Sequence, residues 1–185
     1  MEDRQIVDLY FARREQAIGE TAKKYGKYCF CIAWNILRNG SDAEEAVNDT
    51  YMGAWNSIPP HRPAMLSTYL GKITRRLALK RWEQNRAQKR GGGEVALALE
   101  ELAACIPSNY DMESRIEAEE LTRILNHFVK NLPQPEGKIF LCRYWYLDSI
   151  DAIAQRYGFG QSKVKSMLSR TRKKLRTHLQ KEGYL

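Results

Sequence analysis

Apolar residues recur every three or four positions through most of this chain, the spacing of one face of a helix, and no stretch commits to the two-residue alternation of a half-buried strand. Ala22, Tyr25, Cys29, Ile32, Ala33 and Ile36 form one such series, predicting an amphipathic helix over about 20–38 that Asn39-Gly40 stops. Ser41 opens SDAEEAV, where Ser41 and Glu44 have the spacing of a capping box. Ala43, Val47, Tyr51 (or Thr50) and Ala54 then supply the apolar face of a second helix, ended by Ile58-Pro59-Pro60. Leu66, Leu70, Ile73 and Leu77 mark a third, whose opposite face carries Lys72, Arg75, Arg76 and Lys80. In the C-terminal half, Ile116, Leu121, Ile124, Phe128 and Leu132 mark a helix stopped by Pro133, and Pro135 starts another that runs to about Leu147. The segment IDAIAQRYGFGQSKVKSMLSR, Ile150 to Arg170, then reads as a helix-turn-helix. Ile153 and Tyr157 share a face, Gly158 sits where the turn needs a positive φ, and Phe159 and Val164 restart the apolar pattern. The expected fold class is all-α.

Charge changes this picture by cutting it into blocks. Residues 71–90 hold eight basic residues against the single Glu83, while residues 91–120 hold eight acids against the single Arg115. From Lys163 to Lys181 the chain is basic again, with no acid until Glu182. The acidic block opens on Gly91-Gly92-Gly93 and contains Pro107-Ser108-Asn109, both breaker signals, with a short helix expected between Val95 and Cys105. We therefore expect two small helical domains, 1–90 and 113–185, joined by a flexible acidic linker at 91–112. At 185 residues there is length for one sizeable core or two small ones.

Composition narrows the function classes. The formal net charge of +8 favours a polyanionic partner. No run of about 18 apolar residues is present, so membrane insertion is not expected. The start, MEDRQIVDLYFARRE, is charged from its second residue, unlike a signal peptide, and the expected location is cytoplasmic. Cys29, Cys31, Cys105 and Cys142 are scattered, and a lone C-x-C lacks the second pair of a zinc site, so no metal is expected. His61, His127 and His178 lie far apart, and the glycine triplet lacks the following Lys-Ser/Thr of a phosphate loop. The chain does not read as an enzyme, and no cofactor is expected.

Three surfaces carry candidate chemistry. The second helix of the helix-turn-helix can place its N-terminal side chains on base edges and its cations on phosphates; its alternative is a solvated basic face. The helix over 66–82 interleaves its basic residues with Tyr69 and Trp82, after Trp55 in the preceding helix. Cations beside aromatic rings suit single-stranded nucleic acid, because bases stack while phosphates meet Lys and Arg. For Trp55 the alternative is an ordinary core position. Asp42, Glu45 and Asp49 line the outer face of the second helix, as a partner-binding row or as ordinary solvated carboxylates.

Two segments bear a family resemblance. DAEEAVNDTYMGAW followed by STYLGKITRRLALKRW resembles the second conserved region of bacterial sigma-70-type transcription initiation factors, and LPQPEGKIFLCRYWYLDSIDAIAQRYGFGQSKVKSMLSRTRKKL resembles their fourth. The third region of larger members is missing between them, as in the extracytoplasmic-function group. The resemblance implies a specificity subunit for core RNA polymerase. Asp42, Glu45 and Asp49 would meet the clamp helices of the β′ subunit, and the fourth region would dock on the β flap. Tyr69, Lys72, Arg75, Arg76 and Lys80 would capture the unpaired strand of the −10 element of promoter DNA. Lys165, Ser166, Ser169 and Arg170 would read the −35 element as duplex, while Lys163, Arg172 and Lys173 hold phosphates. An anti-sigma factor is a further partner the resemblance admits. Three positions depart from the family pattern: Arg76 stands where Asn is usual, Gly160 where Ser caps the recognition helix, and Met167 where Arg is typical. Two other readings stay open, a stand-alone helix-turn-helix regulator and a helical RNA-binding protein acting through charge alone.

Overall fold

The computed structural model describes residues 1–88, 93–105 and 115–183, and the side chains of all of these but 86–88 and 115–119. Every regular element among them is a helix, in two compact units, Met1–Gly91 and Gly92–Leu185. The all-α expectation is met.

The first unit contains α1 (Asp3–Phe11), α2 (Gln16–Leu37), α3 (Gly40–Ser57) and α4 (Leu66–Gln88). Helices α2, α3 and α4 pack against one another, and α1 lies on α2. The predicted periodicity becomes the core: Cys29, Ile32, Ala33 and Ile36 are buried on α2, Ala43, Val47 and Ala54 on α3, and Leu66, Leu70 and Ile73 on α4. Two glycines set how closely α4 approaches its neighbours. A Cβ on Gly71 would stand 2.7 Å from the Tyr28 hydroxyl, and one on Gly53 would stand 3.0 Å from a methyl of Ile73. Buried Thr21 and Thr50 each donate to the carbonyl four residues back, so neither hydroxyl is orphaned.

The start of α3 differs from expectation. Asn39, in extended backbone, is the N-cap, and its side-chain oxygen accepts from the Asp42 amide at 3.0 Å. Ser41 therefore sits inside the first turn. Arg38, at φ 52°, ends α2 and Asn39 caps the next helix, because an Asn side chain serves as an N-cap as well as Ser does. Helix α1, which no strong pattern announced, buries Ile6, Val7 and Tyr10, with the Tyr10 hydroxyl 2.9 Å from that of Thr21.

The second unit contains α5 (Gly93–Ala103), α6 (Arg115–Asn131), α7 (Glu136–Tyr144), α8 (Ile150–Tyr157) and α9 (Gln161–Lys181). Helix α7 is central, touching α5, α6, α8 and α9. The helix-turn-helix is present as α8 and α9: Ser149 caps α8 by accepting from the Ala152 amide, and Gly158 takes the left-handed turn with φ 65°. Gly160 precedes α9 with no side-chain cap. Met167 is buried beside Val164 and Leu168.

Helix α5 revises the linker expected at 91–112. The short helix is present, but it packs on α7 and buries Val95, Ala96 and Ala98, so residues 93–105 are part of the second unit. Its acids explain the docking. Arg143 of α7 has no solvent exposure, and its guanidinium meets Glu94 at 2.6 Å and Glu101 at 3.6 Å and donates to the Asp148 carbonyl at 3.3 Å. A buried guanidinium needs counter-charges, and the acidic segment supplies them. Residues 91, 92 and 106–112 of the expected linker lie outside the described residues.

Candidate nucleic-acid interface

Helix geometry sorts the basic residues of α4. Tyr69, Lys72, Arg76 and Lys80 follow a three- and four-residue spacing, so they form one row along α4, flanking the buried stripe of Leu66, Leu70 and Ile73. Lys72, Arg76 and Lys80 are exposed, and none has an ion-pair partner among the described residues. Arg75 falls outside this row. It is half-buried, and the loss of solvent lowers its affinity for a proton. As a strand contact it is therefore less available than the sequence suggested.

The face of α4 meets α3 to form an open cleft of about 520 Å³ lined by Gly53, Ser57, His61, Tyr69, Lys72, Ile73 and Arg76. Three of the expected strand-capturing residues thus come together, and Lys80 does not line the cleft. The hydroxyl of Tyr69 donates to Ser57 Oγ at 2.7 Å, and Ser57 Oγ donates to the Gly53 carbonyl at 2.6 Å. This chain of bonds holds the tyrosine ring at the cleft wall. Gly53, Ser57 and His61 were not singled out from the sequence, although Gly53 and Ser57 stand four apart on one face of α3, the one signal that could have found them. Trp55 is half-buried against Tyr10 and Arg13, ring centroids 6.2 Å apart and the guanidinium 5.4 Å from the ring, and does not line the cleft.

The carboxylate row on α3 is already countered from α4. Arg81 pairs with Glu45 and lies 3.9 Å from Asp42, whose other oxygen accepts from Asn85 at 3.2 Å. The Arg81 hydrogen bond holds the Glu45 carboxyl below the usual carboxylate range. Asp49 is exposed, with no hydrogen bond or ion pair among the described residues. The row is therefore two carboxylates oriented by Arg81 beside a third, Asp49, that feels the same arginine only through its charge.

In the second unit the core stripe of α9 runs through Val164, Met167, Leu168, Thr171, Leu175 and Leu179. Opposite it lie Lys163, Ser166, Ser169, Arg170 and Lys173, exposed except for half-buried Ser169. Lys163 sits with its ammonium 3.9 Å over the Phe159 ring, which keeps it beside the turn. Lys165 is exposed at the edge of this face. Arg172 is not available in the way expected. It turns toward α5 and α7, donating to Glu101 at 3.0 Å and to the Tyr144 hydroxyl at 2.7 Å. Its position beside the core stripe explains the choice, because the guanidinium reaches the buried Arg143–Glu101 network before it reaches solvent.

The described residues hold no cluster of three or more His, Cys, Asp or Glu suited to a metal ion, and no helix long and apolar enough to cross a membrane.

Comparison with known proteins adds three findings. Residues 22–88 match the family model for sigma-70 region 2. No curated protein matches the chain. A solved structure described as CnrH in complex with the cytosolic domain of CnrY is similar over 96% of this chain and 97% of that one, at 16% identity and a TM-score of 0.44.

Proposed function

We propose that this chain, a member of the sigma-70 family by its region 2 at residues 22–88, is a transcription initiation factor of the two-domain, extracytoplasmic-function type. It acts in the cytoplasm on core RNA polymerase and promoter DNA. The observation that carries the reading is the cleft inside the matched region, where Tyr69, Lys72 and Arg76 gather around a space open to an unpaired strand.

In this reading the first unit makes two contacts. The α3 carboxylates meet the polymerase clamp, with Asp49 free to pair and Asp42 and Glu45 pre-set by Arg81. Carboxylates facing a basic partner favour rapid encounter and correct register more than raw affinity. The cleft holds a nucleotide of the melted −10 strand. Extruding a base costs a few kcal/mol, which stacking on an aromatic ring and phosphate contacts offset. Melting then follows from binding energy alone, with no step of covalent chemistry.

The second unit reads the −35 element as duplex. The N-terminal half of α9 enters the major groove, with Lys165, Ser166, Ser169 and Arg170 toward base edges and Lys163 and Lys173 toward phosphates. Its docking on the polymerase flap, and a regulatory protein that holds the factor inactive, are further parts of the same proposal.

Size-exclusion co-elution with bacterial core RNA polymerase, followed by run-off transcription on a pool of genomic promoters, tests it. Stoichiometric co-elution and discrete new transcripts are expected. Failure to bind core, with tight sequence-specific duplex binding retained, would instead make the chain a stand-alone regulator.

A further inference from the structure

The polar atoms around the α3–α4 cleft are not interchangeable, and their hydrogen-bond states point to one class of nucleobase. The two hydroxyl protons are already committed, Tyr69 to Ser57 and Ser57 to the Gly53 carbonyl. His61 Nδ1 lies 3.1 Å from the Ser57 carbonyl, so in the neutral ring it carries the proton and leaves Nε2 an acceptor. The remaining donors are the side chains of Lys72 and Arg76, both exposed and without an ion-pair partner among the described residues. No carboxylate lines the cleft. Its volume, about 520 Å³, falls in the range of sites that take small ligands, roughly 300–1,000 Å³.

We propose that Arg76 makes this cleft selective for a base that presents two adjacent acceptors, guanine through O6 and N7 or cytosine through O2 and N3, against adenine and thymine. The inference rests on the reading that the cleft captures an unpaired promoter base. A guanidinium is donor-only and forked, so it makes two parallel bonds where two acceptors are neighbours. Adenine sets the N6 amino group beside N7, and thymine sets N3–H between its two carbonyl oxygens. Either would place a donor against the fork and leave a bond unmade. The Nε2 lone pair of His61 complements the choice, because guanine and cytosine both carry an N–H next to those acceptor pairs. Lys72, a rotatable point charge, adds phosphate attraction without telling bases apart.

The test is fluorescence anisotropy of the full chain, alone and with core polymerase, on thymine-rich single strands that carry one central guanine, cytosine or adenine. Wild type is expected to favour the guanine or the cytosine strand over the adenine strand by about tenfold, the effect of one good bidentate contact. The larger of the two preferences identifies which acceptor edge is read. Arg76→Lys keeps the charge and loses the fork, so it should bind all strands with nearly equal affinity. Arg76→Gln, whose amide suits the donor-and-acceptor edge of adenine, should shift the preference to the adenine strand. Equal binding of all strands by wild type, or full selectivity in Arg76→Lys, overturns the role of Arg76 while strand capture stands. Absence of strand binding in both states defeats the capture reading and this inference with it. Because Arg76 is exposed, neither variant threatens the fold.

Discussion

Helices α4 and α9 look alike in composition, each a long amphipathic helix dense in lysine and arginine, yet they present their cations in different ways. On α4, Lys72 and Arg76 point into a concave cleft roofed by α3, while Arg81 is turned to Glu45 and Asp42. On α9, Lys163, Arg170 and Lys173 stand on a convex face, while Arg172 is held by Glu101 and Tyr144 and Lys174 by Glu136 at 2.7 Å. Part of the basic charge on each helix is thus internal. A concave basic site with an aromatic wall suits a single unstacked base, and a convex basic helix suits a duplex groove. Net charge alone would have predicted one kind of binding for both.

The largest expected effect separates structural from functional cations. Arg143→Met leaves Glu94 and Glu101 without their buried partner. Glu94 is about half exposed and Arg172 still reaches Glu101, so the cost falls near the low end for a broken buried pair, about 3 kcal/mol. Calorimetry should show the second unit melting on the order of 10–20 °C lower. The transition of the first unit should not move; a shift confined to a few degrees would show that α5 contributes little to the second unit.

Next in size is the double change Lys165→Ala with Arg170→Ala. It should weaken promoter duplex binding at least tenfold and relax selectivity at the −35 element, while single-strand binding and co-elution with polymerase survive. Wild-type transcription from a cognate promoter would remove these residues from the recognition face. Tyr69→Ala is the counterpart in the other unit. Loss of one stacking platform, worth about 1–3 kcal/mol, should lower single-strand affinity roughly tenfold and leave closed-duplex binding intact. If duplex and strand binding fall together, the two helices are not specialised as described.

Two smaller effects sharpen the comparison. Asp49→Lys should slow association with core polymerase several-fold, most clearly at low salt, because it reverses the one carboxylate of the row that makes no hydrogen bond or ion pair among the described residues. Arg172→Ala should leave the salt dependence of DNA binding unchanged, whereas Lys173→Ala should reduce its slope by about one. Equal slopes for the two variants would return Arg172 to the phosphate-binding set.

The legible parts of the fold share a cause. Ile32, Leu70, Phe128 and Val164 were placed in cores because three- and four-residue spacing puts a helix's apolar groups on one side wherever that helix packs. Gly158 marked the turn because its φ of 65° suits glycine. The Tyr69–Lys72–Arg76 face was readable for the same reason, since the three lie on one side of a single helix. Less legible were features in which two local signals compete. Asn39 and Ser41 are both competent caps, and the backbone chose the first. The acids of α5 looked like a solvated tether because the residue that holds them, Arg143, lies 49 positions from Glu94 within an apolar run.

Residues within a few turns of one another were enough to specify the helices, the helix-turn-helix, the blocks of charge and a resemblance to sigma-70 region 2. Tertiary structure alone decided which charges remain available. Arg81 meets Glu45 across 36 residues, and Arg172 meets Glu101 across 71. It also decided that Gly53, Ser57 and His61 complete the cleft with α4. Ion pairs and clefts depend on separations of a few ångströms between distant segments, and only packed helices bring those segments within reach.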